Sequence, residues 1–192
     1  LIWIESPTNP LLKIIDVKQV CEAAQNEKIP VVVDNTFSTA ILQKPLDLGA
    51  TISLTSTTKF INGHSDAIGG SISTNDINWH EKMSFAQKSL GLQPSPFDCW
   101  LITRGIKTLP LRIERQSQNA SALADLLANH TSVKWVRYPF RIDHPQNHIA
   151  KKQMKTGGAI ITVNLNANLN QTYSLCNNLE YFSMAESLGG VE

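Results

Sequence analysis

Lys59 is the residue whose surroundings best suit covalent chemistry. It lies in the segment 56–60 (STTKF), directly after the alternating run 51–55 (TISLT), and a loop follows at 62–66 (NGHSD). Alternation of apolar and polar residues predicts a short strand. That strand would deliver a primary amine into a loop rich in hydroxyl groups, where an amine can meet both an aldehyde and a phosphate group.

A carboxylate ends a second apolar run upstream of Lys59. Asp34 directly follows 31–33 (VVV), a run typical of a strand covered on both faces. Alone, a lysine at a strand end is usually a surface residue, and an aspartate there is usually a turn or helix cap. Together they favour a pyridoxal phosphate site, in which the lysine forms a Schiff base and the aspartate keeps the pyridine nitrogen protonated. Ser56 and Thr58 are the hydroxyl donors that we expect for the phosphate.

The composition argues against several other classes of function. The 192 residues carry 17 basic and 16 acidic side chains, and the net charge of +1 gives no reason to expect binding to nucleic acid or an anionic membrane. No apolar run approaches the roughly 20 residues that span a bilayer. The widely spaced Cys21, Cys99 and Cys176 form no CxxC pair. We therefore expect reduced packing cysteines, no metal site and a cytoplasmic protein.

The first half of the chain alternates strand-like and helix-like segments. Strands are predicted at 1–4, 31–33, 51–55 and 67–73, and Asp16 is the expected N-cap of a helix. This order predicts an α/β fold with a mostly parallel sheet covered by helices. Ligands bind such sheets at the carboxyl ends of the strands, where Asp34 and Lys59 both fall.

The second half is predicted to continue into a smaller α+β domain. Helices are predicted at 79–89, 97–105 and 108–128, and Leu111 is an expected buried position of the last, long helix. The further predicted elements are strand 133–138, helix 148–154, strand 159–165, helix 170–179 and strand 181–185. We interpret 1–108 as part of a cofactor-binding domain, and 109–192 as a linking helix with an incomplete C-terminal domain.

Five motifs in order make the chain resemble the Cys/Met-metabolism family of pyridoxal phosphate enzymes. They are ESPTNP at 5–10, VDNTF at 33–37, STTKFINGHSD at 56–66, RGIKTL at 104–109 and AESLGG at 185–190. The family includes cystathionine γ-lyase, cystathionine γ-synthase, cystathionine β-lyase, methionine γ-lyase and the homoserine sulfhydrylases. The resemblance runs through all 192 residues and implies the fold-type I, aminotransferase-like architecture.

The resemblance implies a role for each cofactor-binding residue. Lys59 would form the Schiff base and shuttle protons between substrate carbons, while Asp34 would pair with the pyridinium nitrogen. Ser56 and Thr58 would bind the phosphate of pyridoxal 5′-phosphate. Asn9 would hydrogen-bond the cofactor near its ring hydroxyl, although an asparagine also suits the turn at this position.

The resemblance also implies substrate contacts near the end of the chain. Ser187 and Leu188 would help hold the α-carboxylate of an amino-acid substrate. Glu186 is typical of the γ-acting members and could attract the distal ammonium group of cystathionine, or it could be an exposed charge at a strand end. We therefore rank a γ-lyase first, a γ-synthase a close second, and a homoserine sulfhydrylase or methionine γ-lyase third. Thr57 replaces an alanine common in the family and is not expected to alter the role of Lys59.

The resemblance implies a homotetramer, built as a dimer of tight dimers with shared active sites. The chain matches roughly the middle half of a family member, so we expect both of its ends to be cut from a longer protein. Residues that complete the site, including a tyrosine stacked on the cofactor ring and an arginine for the substrate carboxylate, are expected outside 1–192. Two other classes stay open: a truncated, non-catalytic assembly module, and a Schiff-base aldolase that needs the lysine but not the phosphate-binding hydroxyl pair.

Overall fold

The first half of the protein is built on a four-stranded sheet. The computed structural model describes residues 1–191. The strands lie in sequence order: β1 Ile2–Glu5, β2 Val31–Asp34, β3 Ile52–Ser56 and β4 Gly70–Ser73. Strands β1, β2 and β3 are parallel, and β4 is antiparallel to β3. The mostly parallel α/β sheet predicted from the sequence is therefore confirmed.

The connections of this sheet carry short helices that cover it. They are α1 Val17–Asn26, α2 Thr39–Leu42 and a 3₁₀ turn at Pro45–Leu48. Helix α1 begins at Asp16, whose side chain accepts a hydrogen bond from the backbone N–H of Gln19 (3.0 Å), as expected of an N-cap. Its buried face packs against β2, which is apolar on both faces. Cys21 is buried there, whereas Cys99 is exposed, so the predicted packing role is wrong for Cys99.

Three longer helices follow the sheet: α3 Ile77–Leu90, α4 Pro96–Ile106 and α5 Leu109–Ala128. The buried positions of α5 recur every three or four residues and are Leu109, Ile113, Ser117, Ala120 and Ala124. The prediction that Leu111 is buried is wrong, because it lies roughly 200° around the helix from Leu109 and is 70% exposed. Within residues 1–191, no helix is both long and apolar enough to cross a bilayer.

The second half of the chain contains a small two-stranded antiparallel sheet. Its strands are β5 Val133–Arg137 and β6 Thr162–Leu165, accompanied by helices α6 Asn147–Gln153 and α7 Leu169–Asn177. The strand predicted at 181–185 is wrong, because this segment is irregular and joins neither sheet. Its apolar side chains are exposed rather than packed. A strand is stable only where a neighbouring strand satisfies its backbone N–H and C=O groups.

The two halves meet along the loop between β1 and α1. In that contact His144 Nε2 lies 3.0 Å from the Leu12 carbonyl, and Gln153 Nε2 donates to the Ile15 carbonyl (2.9 Å). Leu12 also belongs to an apolar cluster with Phe60, Leu109 and other buried residues. This cluster lies directly beneath the Lys59 segment, so both halves support the candidate site.

Candidate active site

Three parallel strands end at one edge of the sheet, and two of the predicted site residues, Asp34 and Ser56, are the last residues of their strands. Glu5, Asp34 and Ser56 are the last residues of β1, β2 and β3. Glu5 pairs in register with Asp34, and Asp34 pairs with Leu54. The carboxylate and the segment that carries Lys59 therefore leave the sheet at the same edge, where α/β sheets bind their ligands.

Thr36 links Asp34 to the end of the next strand. Asp34 Oδ1 accepts hydrogen bonds from the Thr36 backbone N–H (2.9 Å) and from Thr36 Oγ1 (2.6 Å). Thr36 Oγ1 in turn accepts from the backbone N–H of Ser56 (2.9 Å). Because a hydroxyl has a single proton, that proton is committed to Asp34. Thr36 thus fixes the orientation of the carboxylate and leaves Oδ2 as the oxygen available to a ligand.

Glu5 places a second carboxyl group beside Asp34. Burial raises the pKa of the Glu5 carboxyl, the backbone N–H of Asn9 acts in the opposite direction, and the nearby charge of Asp34 adds to the increase. The Asn9 backbone therefore lies close to this edge of the sheet, while Asn9 itself is exposed. Two neighbouring carboxyl groups make the edge favourable for a cationic group.

Lys59 lies in a short π-helical segment, Thr57–Ile61, that follows β3 directly. Its backbone departs from helical geometry, with φ −86° and ψ −128°. The Nζ atom donates a hydrogen bond to Ser187 Oγ (2.9 Å), across 128 positions of sequence. The amine is therefore aimed at the AESLGG motif near the end of the chain.

The AESLGG motif packs directly on the Lys59 segment. Leu188 packs against the apolar cluster that includes Phe60. Gly189 has φ +88°, and a Cβ on it would lie 2.8 Å from the Phe60 backbone nitrogen. A side chain at Gly189 would force the two segments apart. The close approach that brings Ser187 to Lys59 therefore requires glycine there.

The two hydroxyl groups expected to bind phosphate differ in their surroundings. Ser56 Oγ has no hydrogen-bond partner in the described part of the chain, and its backbone N–H is held by Thr36. Thr58 Oγ1 donates to the Gly69 carbonyl (3.3 Å) and accepts from the Gly69 N–H (3.0 Å). Ser56 is thus ready to donate to an anion, whereas Thr58 would have to turn its proton away from Gly69.

Two further residues singled out from the sequence lie near these groups. Thr57 is buried, and its Oγ1 has no hydrogen-bond partner. Glu186 is exposed beside Ser187, and it makes no ion pair with any residue from 1 to 191. Its carboxylate therefore remains available to a ligand.

Two residues that organise the site, Thr36 and Arg112, were not predicted from the sequence. Thr36 could have been found, because a threonine two positions after a strand-end aspartate is the spacing of a side-chain-to-backbone turn. Arg112 donates hydrogen bonds to the carbonyls of Phe60 and Ile61, just after Lys59. No local signal identifies this role of the arginine, because its two partners beside Lys59 lie 52 and 51 positions away in the sequence.

The donors and acceptors present fit pyridoxal 5′-phosphate. Lys59 offers the amine that the aldehyde requires, Asp34 Oδ2 an acceptor for a protonated ring nitrogen, and Ser56 Oγ a donor for a phosphate oxygen. The free hydroxyl of Ser56 and the free oxygen of Asp34 are the two observations on which this fit depends.

Comparison with known proteins gives a consistent result. All of residues 1–192 match the model of the family described as "Cys/Met metabolism PLP-dependent enzyme". The chain is 46% identical over 192 residues to cystathionine gamma-lyase of Dictyostelium discoideum, and 47% identical over 192 residues to cystathionine gamma-synthase of Mycobacterium tuberculosis. In both comparisons the match covers 100% of this chain and 50% of the relative, so the chain spans about half the length of these proteins.

A solved structure shows the same architecture. The crystal structure of cystathionine gamma synthase from Xanthomonas oryzae pv. oryzae, in complex with aminoacrylate and cysteine, superposes with a TM-score of 0.97 at 44% identity. The superposition covers 99% of this chain and 49% of that one. Both the fold and the family of the chain are thereby established.

Proposed function

Because the chain belongs to the family of Cys/Met metabolism PLP-dependent enzymes, we propose that the whole protein is a pyridoxal-phosphate-dependent transsulfuration enzyme. The observation that carries this proposal is the hydrogen bond from Lys59 Nζ to Ser187 Oγ at 2.9 Å. It joins two distant motifs at the edge of the sheet where Asp34 also lies. The bond aims the amine at the AESLGG motif, the orientation that a reactive amine of the site requires.

Each residue of the site has a proposed task. Pyridoxal phosphate, when bound, supplies an electron-accepting ring that makes the α-proton of an amino acid acidic. Lys59 Nζ would hold the cofactor, take up the α-proton and return a proton to the substrate. Asp34, oriented by Thr36, would keep the ring nitrogen protonated. Ser187 would direct Nζ by accepting its hydrogen bond.

Ser56, Thr58 and Asn9 complete the proposed binding site for the cofactor. Ser56 and Thr58 would donate to the phosphate, with Ser56 already free to do so. Asn9 would contact the ring-hydroxyl side of the cofactor, and its backbone already lies beside Glu5 at the same edge. The neighbouring carboxyl groups of Glu5 and Asp34 would favour the protonated ring.

We favour cystathionine γ-lyase among the possible activities. In that reaction cystathionine and one water molecule give cysteine, 2-oxobutanoate and ammonia. The exposed Glu186 directly precedes Ser187, whose Oγ accepts the hydrogen bond of Lys59 Nζ. There its carboxylate could attract the distal ammonium of cystathionine, while Ser187 and Leu188 would hold the α-carboxylate.

Cystathionine γ-synthase is the second candidate, because the chain is as similar to a γ-synthase as to a γ-lyase: 47% identity against 46%. A synthase would release an acyl carboxylate from an acyl-homoserine and add the sulfur of cysteine to the same carbon. A homoserine sulfhydrylase or a methionine γ-lyase ranks third. The two leading reactions need the same lysine and carboxylate.

We also propose that the full-length protein is a cytoplasmic homotetramer, in which 1–108 belongs to the cofactor domain and 109–192 to the linking helix and C-terminal domain. Large exposed apolar side chains support an interface, among them Phe85 (73% exposed), Leu90 (69%) and Phe97 (65%). Light scattering on the full-length protein tests the oligomeric state, and a monomer would contradict this part of the proposal.

The activity is tested with the full-length protein and pyridoxal phosphate in two parallel reactions. One contains cystathionine, the other acyl-homoserine with cysteine, and mass spectrometry identifies the products. Cysteine and 2-oxobutanoate from the first, with little cystathionine in the second, would establish the γ-lyase. Cystathionine accumulating in the second would make the protein a γ-synthase, and no visible absorption by bound cofactor would contradict both.

A further inference from the structure

Arg112 donates hydrogen bonds to backbone carbonyls in and around the Lys59 turn, the π-helical segment Thr57–Ile61 that contains Lys59. Its Nη1 donates to the Phe60 carbonyl (2.7 Å), and its Nη2 donates to the carbonyls of Ile61 (3.2 Å) and Gly105 (2.8 Å). Its Nε donates to Thr108 Oγ1 (3.1 Å). The guanidinium therefore ties the Lys59 turn to the junction between α4 and α5.

The turn needs these donors because its backbone is not a regular helix. The N–H groups of Asn62 and Gly63 bond to the carbonyls of Thr57 (3.0 Å) and Lys59 (2.8 Å). The irregular ψ of Lys59 kinks the segment there. The carbonyls of Phe60 and Ile61 instead point at Arg112, which satisfies them. Without the guanidinium, these acceptors would favour a different conformation of the turn.

Two glycines leave room for this arrangement. Gly63 has φ +71°, and a Cβ on it would lie 2.1 Å from Arg112 Nη1. A Cβ on Gly105 would lie 2.2 Å from the carbonyl oxygen of Asn62. Both belong to motifs that the proposed roles of Lys59 and Asp34 leave unexplained. Their shared function is to let α4, α5 and the Lys59 turn close around one guanidinium.

Hydrogen bonds rather than an ion pair hold Arg112 in place. No carboxylate lies within ion-pair distance of it in the part of the chain that the structure describes. Burial lowers the pKa of the guanidinium, although arginine remains charged at neutral pH. A planar fork with five N–H donors is needed to serve three carbonyls and a hydroxyl, and lysine cannot replace it fully.

The same helix face also holds the segment that meets Lys59. Gln116, one turn beyond Arg112 on α5, donates to the Gly190 carbonyl (3.4 Å). Between them, Ile113 lies in the apolar cluster with Phe60. Helix α5 therefore contacts both segments that bring Lys59 Nζ to Ser187 Oγ.

We propose that Arg112 is a positioning residue for Lys59, which fixes the turn so that Nζ meets both the cofactor and the proton that it moves. This inference rests on the proposed function of Lys59. It makes Arg112 part of the site although it need touch neither cofactor nor substrate. A displacement of about 1 Å of a catalytic group can cost about 100-fold in rate. Loss of the Arg112 hydrogen bonds should therefore lower mainly kcat.

The test uses the full-length protein loaded with pyridoxal phosphate and carrying Arg112→Gln or Arg112→Lys. Arg141→Gln is the matched control, since Arg141 is largely buried but pairs with Asp125 and Asp143 in the second half. The readouts are kcat and KM for α-proton exchange of cystathionine with deuterium, and the pH midpoint of the visible absorption of the lysine-bound cofactor.

Arg112→Gln should lower kcat by about 100-fold with little change in KM, and it should shift the pH midpoint. Arg112→Lys should retain an intermediate kcat, because its ammonium group can still reach one or two carbonyls. Arg141→Gln should keep the wild-type kcat and midpoint even if it melts earlier. A wild-type kcat and midpoint in Arg112→Gln would overturn the proposal.

Two further results keep this test decisive. If Arg112→Gln does not fold, Arg112→Lys takes its place, and a wild-type kcat and midpoint in that variant would also overturn the proposal. If the wild-type protein binds no cofactor, the proposed function itself has failed. Amide hydrogen exchange at Asn62 and Gly63 in the cofactor-free protein then tests whether Arg112 holds the Lys59 turn. Faster exchange in the Arg112 variant supports this, and unchanged exchange contradicts it.

Discussion

Two buried threonines beside the candidate site differ in what their hydroxyl groups contact. Thr36 Oγ1 donates to Asp34 and accepts from the Ser56 N–H, whereas Thr57 Oγ1 is buried without a partner. A Cβ on Gly69 would lie 2.8 Å from Thr57 Oγ1, so the threonine fills a confined space. The hydroxyl of Thr36 therefore stabilises the folded protein, whereas that of Thr57 destabilises it.

We predict that Thr57→Val stabilises the full-length protein in its cofactor-free form. Valine keeps the shape of threonine and removes a buried hydroxyl without a partner, whose burial costs about 1–3 kcal/mol. We expect the free energy of unfolding to rise by about 1 kcal/mol, measured by urea denaturation. Thr36→Val is the matched control and should lower it by about 1–3 kcal/mol, because it leaves the Ser56 N–H unpaired. A loss of stability in Thr57→Val would contradict the assignment.

The sequence predicts which residues carry the chemical groups of the site better than it predicts which residues they contact. Lys59 and Asp34 could be recognised because each directly follows an apolar strand, which is a local pattern. The pairing of Lys59 with Ser187 could not be derived from local pattern, because packing across 128 positions creates it. The hydrogen bond from the Gly69 N–H to Thr58 Oγ1 likewise depends on the path of the chain after the NGHSD loop.

The contact between α4 and the Lys59 turn is the element-scale feature on which the site depends. Gly105 lies within α4 and is buried against the Asn62 carbonyl. In an exposed helix, alanine would be favoured over glycine by about 1 kcal/mol. Here a Cβ at position 105 would lie 2.2 Å from the Asn62 carbonyl oxygen. This clash outweighs the preference for alanine, because backbone cannot give way as a flexible side chain can.

Gly105→Ala should therefore destabilise the protein by about 1–3 kcal/mol, the usual cost of overpacking, and loosen the Lys59 turn. Thermal unfolding and amide exchange at Gly63 measure the two effects. Gly70→Ala is the matched control, since its Cβ would lie 3.9 Å from the nearest atom. Equal stability of the two variants would show that α4 does not need this close approach.

Helices were more predictable than the end of the chain. Helix α5 was expected at 108–128 and lies at Leu109–Ala128, because its apolar residues follow the helical period over five turns. Leu111 was misplaced because apolar character alone does not tell which side of a helix faces the core. The strand predicted at 181–185 did not form: the segment pairs with neither sheet, so no ladder of backbone hydrogen bonds holds it extended.

His144 joins the two halves of the molecule. It is buried, its Nε2 lies 3.0 Å from the Leu12 carbonyl, and its Nδ1 accepts from the Gln146 N–H (3.2 Å). The carbonyl can only accept, so Nε2 carries the proton and the ring is neutral. Burial lowers the pKa of His144 most, the charge of Arg137 adds to this, and the bond to Leu12 and the charge of Asp143 oppose it.

This lowered pKa predicts a loss of stability in acid. Above about pH 6.5 the imidazole is neutral in both the folded and the unfolded protein, so its contribution is complete. As the pH falls from there through the folded pKa, the unfolded chain binds the proton first and unfolding becomes easier. His144→Gln, which can still donate to Leu12, should reduce the loss of unfolding free energy between about pH 7 and pH 5. Parallel losses in the two proteins would contradict this role.

The fold of the whole molecule followed from the alternation of elements, whereas the way its halves meet did not. The parallel order of β1, β2 and β3 is the expected result of strands joined by helical crossovers. The antiparallel β4 and the contacts of Leu12 and Ile15 with the second half depend on long-range packing. Those contacts support the apolar cluster beneath Lys59, so they matter to the site as well as to stability.

Locating the bound cofactor on the chain tests directly whether Lys59 is the reactive amine. The full-length protein would be incubated with pyridoxal phosphate, reduced with borohydride, digested and analysed by mass spectrometry. We predict one phosphopyridoxyl group, attached to Lys59 Nζ, and its loss in Lys59→Ala together with the visible absorption band. Attachment at a different lysine, or an unchanged visible band in Lys59→Ala, would contradict the central claim that Lys59 is the reactive amine of the site.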